Sequence, residues 1–213
     1  MSTRMTTKEE IRSRHRNRRA AMSPVEREAA GAALAGQGLA WAAGLSEGGP
    51  RTFAAYLGVD SEPPTLPLLR ELFAAGHRVL LPVCEPGLAL SWVYWTPASD
   101  FVRSRYAPLQ EPNGERFDTS VMRGVAGIFV PATALDHSGN RIGQGGGYYD
   151  TFLAALPVLF GAGAASPAAP LPTAGVVYDG EVLPAGSIPA ESFDRKVGAA
   201  LTPAGLISFG QVS

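Results

Sequence analysis

Between Gly139 and Asp150 the chain reads GNRIGQGGGYYD, and four of the five residues from Gly143 to Gly147 are glycine. A backbone without Cβ atoms reaches positive φ at little cost and brings its N–H groups close to a ligand. An apolar run, Val125–Pro131, precedes this stretch and a short apolar segment, Thr151–Leu159, follows it. The glycines therefore lie between a strand and the start of a helix, where unpaired N–H groups and the helix dipole favour an anion such as phosphate. Arg141 adds a guanidinium suited to bidentate contact with phosphate oxygens. Asp150 has two readings. It is a cap for the first N–H groups of the helix, or a ligand for Mg²⁺, which nucleotide sites hold through one or two carboxylates with phosphates and water. Asp194 is the candidate for a second carboxylate, although spacing alone does not separate it from Asp179, Glu181 or Glu191. The plain alternative is a flexible glycine turn, against which the Tyr148-Tyr149-Asp150 run speaks. The loop is neither a Walker A motif nor the dinucleotide fingerprint, since it has no Gly-Lys-Ser/Thr and its glycine spacing differs.

A second polar group sits near the N-terminus. Lys8, Arg12, either His15 or Arg16, and Arg19 recur at three- and four-residue spacing, on one helix face. Such a face is solvated, or brackets a polyphosphate through Lys8 and Arg12, or binds RNA. No second basic patch or aromatic platform accompanies it for the last of these. The three histidines, His15, His77 and His137, lack zinc-ligand spacing. The single cysteine, Cys84, follows an apolar run and reads as a buried thiol in a reducing cytoplasm, with a nucleophilic role as the lesser alternative.

These side chains need elements to position them. Thr7 with Glu10, and Ser23 with Glu26 and Pro24, form capping-box patterns that predict helices over 8–22 and 24–43. Thr52–Leu57, Val79–Cys84, Leu88–Trp95, Val125–Pro131 and Ala174–Tyr178 read as strands, with Gly205–Phe209 as one more. Leu66–Ala75 and Thr151–Leu159 read as helices, and Ser120–Arg123 as a short one. Pro97–Phe117 reads as irregular, and Gly161–Thr173 as a low-complexity Ala/Pro-rich connector. Strands that are continuous apolar runs alternating with helices indicate a mostly parallel sheet covered on both faces. The expectation is one three-layer α/β/α domain over 1–213, with residues 1–44 as an N-terminal helical segment packed on it.

With those motifs in hand, the chain resembles the 5-formyltetrahydrofolate cyclo-ligase (methenyltetrahydrofolate synthetase) family. PATALDHSGNRIGQGGGYYD is similar to that family's Pro-Gly-x-x-Phe-Asp-x-x-Gly-x-Arg-Leu-Gly-x-Gly-x-Gly-Tyr-Tyr-Asp. Weaker matches follow in the family's order: Lys8 and Arg12; Tyr56, Leu57 and Glu62; Glu111-Pro112 after Tyr106; and Pro189 with Asp194. The resemblance runs from about residue 8 to 209. It implies ATP- and Mg²⁺-dependent closure of 5-formyltetrahydrofolate to 5,10-methenyltetrahydrofolate. The formyl oxygen is phosphorylated, the neighbouring folate nitrogen attacks, and ADP and phosphate leave.

Carried over, the resemblance implies that Lys8, Arg12 and the loop Arg141, Ile142, Gly143, Gln144, Gly145, Gly146, Gly147, Tyr148 and Tyr149 hold ATP. Asp150 and Asp194 hold magnesium. Leu57 and Glu62 contact the folate, together with Gln144–Tyr148, and Arg141, Gln144 and Tyr148 stand closest to the reacting groups. The chain departs from the pattern at Gln144, where the family has an aromatic or basic residue, and at Ala132 and Leu135, which replace its glycine and aromatic. Glu181 stands where a glutamine is common. A nucleotide-binding paralogue with another substrate, or none, is the alternative those departures raise.

Composition sets the remaining bounds. The chain has 213 residues, 46% hydrophobic and 17% charged, and a net charge of −1. That is an ordinary globular balance, with no overall field for nucleic acid or a membrane surface. No apolar run reaches the roughly 20 residues of a membrane span, and the N-terminus lacks a signal-like apolar region. The expectation is a cytoplasmic monomer whose partner is a small reduced folate, with neither nucleic acid nor membrane.

Overall fold

The computed structural model describes residues 7–161, 170–191 and 194–210. Both predicted capping boxes form. Thr7 N–H donates to Glu10 Oε2 at 2.8 Å while Glu10 N–H donates to Thr7 Oγ1 at 3.2 Å, which opens α1 (Lys8–Ala20). Ser23 and Glu26 make the same exchange at 2.7 and 3.3 Å to open α2 (Pro24–Gly44). The chain continues through β1 (Thr52–Ala54), α3 (Leu66–Ala74), β2 (Arg78–Cys84) and β3 (Leu90–Trp95). Next come β4 (Phe101–Arg103), β5 (Gln110–Pro112), β6 (Val125–Pro131), β7 (Ala134–Asp136) and β8 (Arg141–Ile142). The remaining elements are α4 (Tyr148–Leu159), β9 (Thr173–Val176), β10 (Val182–Leu183), β11 (Ala199–Thr202) and β12 (Gly205–Ser208).

Seven strands form the central sheet in the order β12-β11-β9-β6-β1-β2-β3. The five inner strands pair parallel, and β3 and β12 close the edges antiparallel. Alternation along β2 shows how both faces are covered. Val79 and Leu81 pack with Leu34, Leu68 and Leu72 from α2 and α3, whereas Leu80 packs with Phe152, Leu153 and Leu156 from α4. Gly38 lets α2 press onto α3, since a Cβ there would stand 2.5 Å from Leu68 Cδ1. The mostly parallel three-layer α/β/α arrangement is the one expected from the sequence.

Three local expectations change. Pro97–Phe117 is not wholly irregular, because β4 and β5 pair antiparallel within it. Three-residue strands that pair chiefly with each other carry too little apolar alternation to be read from sequence. A second small sheet, β10-β7-β8, stands where only loop was expected. The fourth helix begins at Tyr148, not Thr151, so Asp150 lies inside its first turn and Gly147 takes the N-cap position. Asp150 is therefore not the N-cap. Of the Gly161–Thr173 connector, residues 162–169 lie outside the described residues.

Candidate active site

A cavity of about 690 Å³ opens at the carboxyl ends of β1, β2 and β6, within the size range of small-molecule sites. Its position follows from the topology. The β1-to-β2 connection carries α3 across one face, and α4 follows β6 on the other, so the crevice lies where the strand order reverses.

Two loops face each other across it. The first follows β1 and carries Leu57 and Glu62 on the cavity wall. Thr65 fastens it: its hydroxyl donates to the Tyr56 carbonyl at 2.6 Å and accepts from Gly58 N–H at 2.8 Å. Glu62 is 9% exposed. Its carboxylate accepts from Val59 N–H at 3.1 Å and from Gln144 Nε2 at 3.1 Å. Burial raises its pKa above the usual carboxylate value, against the lowering effect of those two hydrogen bonds.

The second is the glycine loop. Gly145 and Gly147 have φ of +102° and +78°, a region open to glycine at little cost. Arg12 Nε donates to the Gly143 carbonyl at 2.9 Å, and Arg16 Nη2 to the Gln144 carbonyl at 3.3 Å. A trans peptide points the next N–H away from its carbonyl, so fixing two carbonyls toward α1 turns the following N–H groups the other way. Among the described residues, none accepts from the N–H groups of Gln144, Gly145 or Gly146. The N-cap of α4 has no side-chain hydrogen bond. The loop is thus a cradle of unpaired donors at a helix N-terminus, and the residues fit a phosphate.

Arg141 is 5% exposed. Its Nη1 donates to the Pro131 carbonyl at 3.0 Å, its Nη2 pairs with Asp150 Oδ1, and its buried Nε has no partner. Tyr56 and Tyr149 present buried hydroxyls that also lack partners, and both residues line the cavity. Burial first, and then the Glu62 carboxylate, push both phenols upward, so they remain neutral donors. The Cys84 thiol, against Tyr148, is pushed up to about 12 by burial and by Glu111. A thiol held protonated is a poor nucleophile.

Leu57, Glu62, Arg141, Gly143–Tyr149 and Asp150 all line the cavity. Ile142 turns its side chain into a small core cluster with Ile11, Ala134 and Ile188. Lys8, Arg12 and Asp194 stand outside the lining. Arg12 backs the glycine loop, and Lys8 Nζ pairs with Asp194 and Glu191, each at 2.7 Å. Two rival carboxylates have other partners: Asp179 accepts from Ala204 N–H at 2.9 Å, and Glu181 grips Arg19 through both oxygens at 2.6 and 2.7 Å. Arg19 also donates to the Ala132 carbonyl at 2.8 Å, so α1 is anchored from beneath. The basic face of α1 is turned inward onto the chain itself. Among the described residues no group of three His, Cys, Asp or Glu side chains could hold a metal. The Asp150 carboxylate fits the sparser one-or-two-carboxylate manner of Mg²⁺ with a nucleotide.

Sequence reasoning missed the Tyr56 hydroxyl and the wall built by Phe101, Tyr106 and Gln110. Tyr56 was visible in its motif. The others fell in the stretch read as irregular.

The model of the 5-formyltetrahydrofolate cyclo-ligase family matches residues 4–203. The chain belongs to that family. It is 36% identical over 192 residues to the 5-formyltetrahydrofolate cyclo-ligase of Mycolicibacterium smegmatis, covering 88% of each chain. With the cyclo-ligase of Escherichia coli it shares 36% identity over 104 residues, 48% of this chain and 57% of that one. Among solved structures, the 5,10-methenyltetrahydrofolate synthetase of Aquifex aeolicus superposes with a TM-score of 0.69 at 24% identity, covering 97% of this chain and 94% of that one. No described helix is long and apolar enough to cross a membrane.

Proposed function

We propose that the protein converts 5-formyltetrahydrofolate to 5,10-methenyltetrahydrofolate with ATP, releasing ADP and phosphate. The observation that carries this reading is the convergence of the glycine loop and the Glu62 loop on one cavity. A phosphate cradle and a buried carboxylate for a nitrogen heterocycle face each other there, in a chain of the cyclo-ligase family.

A formamide oxygen is a poor leaving group, and phosphorylation makes it a good one. Phosphoryl transfer needs positioning and charge neutralisation more than covalent help from the protein. The N–H groups of Gln144, Gly145 and Gly146 receive phosphate oxygens, with Arg12 and Arg16 holding the loop from behind. Arg141 holds Asp150 toward the cavity, where its carboxylate would take Mg²⁺; Asp194, outside the lining and paired with Lys8, is the second carboxylate that the family resemblance implies. Lys8 pairs with Asp194 at 2.7 Å from the same helix whose Arg12 backs the loop. On the folate side, Glu62 accepts hydrogen bonds from pterin N–H groups. Leu57 and Tyr148 pack on the ring, and the Tyr56 and Tyr149 hydroxyls supply neutral donors at the buried end. Gln144 sits between the two halves, its side chain reaching Glu62 while its backbone belongs to the cradle. The protein acts as a cytoplasmic enzyme in one-carbon metabolism.

The test is the absorbance rise of methenyltetrahydrofolate with folded protein, 5-formyltetrahydrofolate, ATP and Mg²⁺. Turnover dependent on both ATP and Mg²⁺ is expected. ATP binding by calorimetry with neither folate binding nor turnover would establish the nucleotide-binding paralogue instead.

A further inference from the structure

The cavity continues outward into a second space of about 340 Å³. The two share Val59, Asp60, Pro108, Leu109 and Gln110 on their walls, and Arg103 belongs to the outer space alone. One small hairpin explains the arrangement. In β4–β5, Phe101 pairs with Pro112, Val102 with Glu111, and Arg103 with Gln110. Side chains alternate along a strand and cross-strand partners share a face. Phe101, Pro112, Arg103 and Gln110 therefore form one face, the cavity side, while Glu111 goes to the other and is buried, accepting from Cys84 N–H at 2.7 Å. On that face an apolar pair, Phe101 and Pro112, lines the inner cavity. A polar and cationic pair, Gln110 and Arg103, follows about 7 Å further out, the length of two strand residues.

Arg103 is exposed and makes no hydrogen bond or ion pair with any described residue. Every other cation around the two spaces has a partner: Arg16 contacts the Gln144 carbonyl and Glu9, and Arg141 holds Asp150. Within the walls the acids are Glu62, Asp150 and Asp60. Glu62 and Asp60 disfavour a carboxylate beside them, and the anion-favouring groups of the inner cavity, Arg141 and the glycine loop, belong to its nucleotide half. On the folate side a tail carboxylate meets its cation at the outer end, where Arg103 has no partner among the described residues.

We propose that the outer space is a subsite for the carboxylates of the substrate's aminobenzoyl-glutamate tail, with Phe101 and Pro112 packing on the tail's aromatic ring and Arg103 pairing with its terminal carboxylates. This rests on the folate reading of the inner cavity. It adds a specificity-determining residue to it, because a guanidinium at the mouth selects anionic tails over neutral ones. Arg105, two residues on in the same exposed stretch, lines neither space and has no such role.

The test is a cycle between enzyme and substrate, comparing 5-formyltetrahydrofolate with its α,γ-diamide on the native protein, Arg103→Ala and Arg105→Ala. Losing one charge-assisted hydrogen bond corresponds to about a 10-fold change in KM. On the native protein the diamide is expected to show that increase. Arg103→Ala is expected to raise the KM of the acid form by a similar factor and to erase the difference between acid and diamide. It should leave kcat and the KM for ATP unchanged, and Arg105→Ala should behave as the native protein does. A diamide penalty that survives in Arg103→Ala, or one lost equally in Arg105→Ala, overturns the proposal. Failure of the native protein to turn over either substrate overturns the folate reading instead. In that event calorimetry with p-aminobenzoylglutamate still decides on Arg103: tighter binding to the native protein than to Arg103→Ala supports the subsite, and equal binding rejects it.

Discussion

Gln144 Nε2 donates to Glu62 Oε1 at 3.1 Å, joining two loops that lie 82 residues apart in sequence. One residue belongs to the glycine loop and the other to the opposite wall, so this contact spans the cavity. A folate ring that hydrogen-bonds to Glu62 competes with Gln144 for the same oxygen.

Glu62→Gln should weaken folate much more than ATP. A hydrogen bond to a charged acceptor contributes about 1.5–3 kcal/mol, which corresponds to roughly a 10- to 100-fold rise in the folate KM. The KM for ATP should stay within about threefold, since Glu62 meets Gln144 through its side-chain amide only and the loop would hold phosphate through backbone N–H groups. Steady-state kinetics with each substrate varied in turn checks this, and equal losses for both would reject the assignment.

The same carboxylate sets a pH dependence. Burial holds the Glu62 pKa above its ordinary 4.5, and the ionised form accepts N–H donors on both oxygens and more strongly than the protonated one. As pH falls through that raised pKa the carboxylate protonates and folate affinity drops, so kcat/KM for folate should decline on an acid limb lying above the usual carboxylate range. In Glu62→Gln that limb should be absent. A limb unchanged in the variant would assign it to another group.

Asp150→Ala should lower kcat by about 100-fold or more, the scale seen when a preorganised charge is removed from a reacting centre. Because Asp150 pairs with Arg141, Asp150→Asn separates loss of charge from loss of position. It keeps an acceptor for Arg141 and should still be impaired. Full turnover and ATP affinity in both variants would reduce Asp150 to an anchor for Arg141.

Arg19 and Glu181 form a buried bidentate pair under α1, at 1% and 4% exposure. Removing one partner strands a buried charge and costs about 3–5 kcal/mol, whereas replacing both with apolar residues is often close to neutral. Chemical denaturation should therefore show Arg19→Met as far less stable than Arg19→Met with Glu181→Met. Similar stability for the two would mean that water reaches the site and screens it.

His15 is buried at 1% exposure beside that pair, with both ring nitrogens unpartnered. Burial first, then Arg18, Arg19 and Arg14, lower its pKa to about 4, and the Glu181 carboxylate 3.9 Å away opposes them without reversing the shift. A base with a depressed folded pKa is neutral in the fold and protonates more readily in the unfolded chain. Its stabilising contribution is complete above the unfolded value of 6.5 and is lost as pH falls toward 4. The loss amounts to at most about 3 kcal/mol. The stability of the native protein relative to His15→Leu should fall over that window, as measured by denaturation from pH 7.5 to 4.5.

What the sequence determined by itself was local. Thr7 with Glu10, and Ser23 with Glu26, specify helix starts because a cap and its acceptor sit three residues apart on one stretch of backbone. The apolar runs at 79–84 and 125–131 specify buried strands, and Gly143–Gly147 specify a loop free to take positive φ because backbone freedom is a property of the residues themselves. The motif order carried the family. The tertiary structure decided which distant groups meet. Nothing in the spacing assigns Glu181 to Arg19 or Gln144 to Glu62, because such pairings depend on how the crossovers bring strand ends together. Asp150 reads as a cap or a ligand from sequence, but helix α4 starts two residues before it, which hands the cap to Gly147 and the carboxylate to Arg141. Phe101 and Arg103 gained a shared face only when β4 found β5, since a three-residue strand has no pattern of its own and acquires one from its partner.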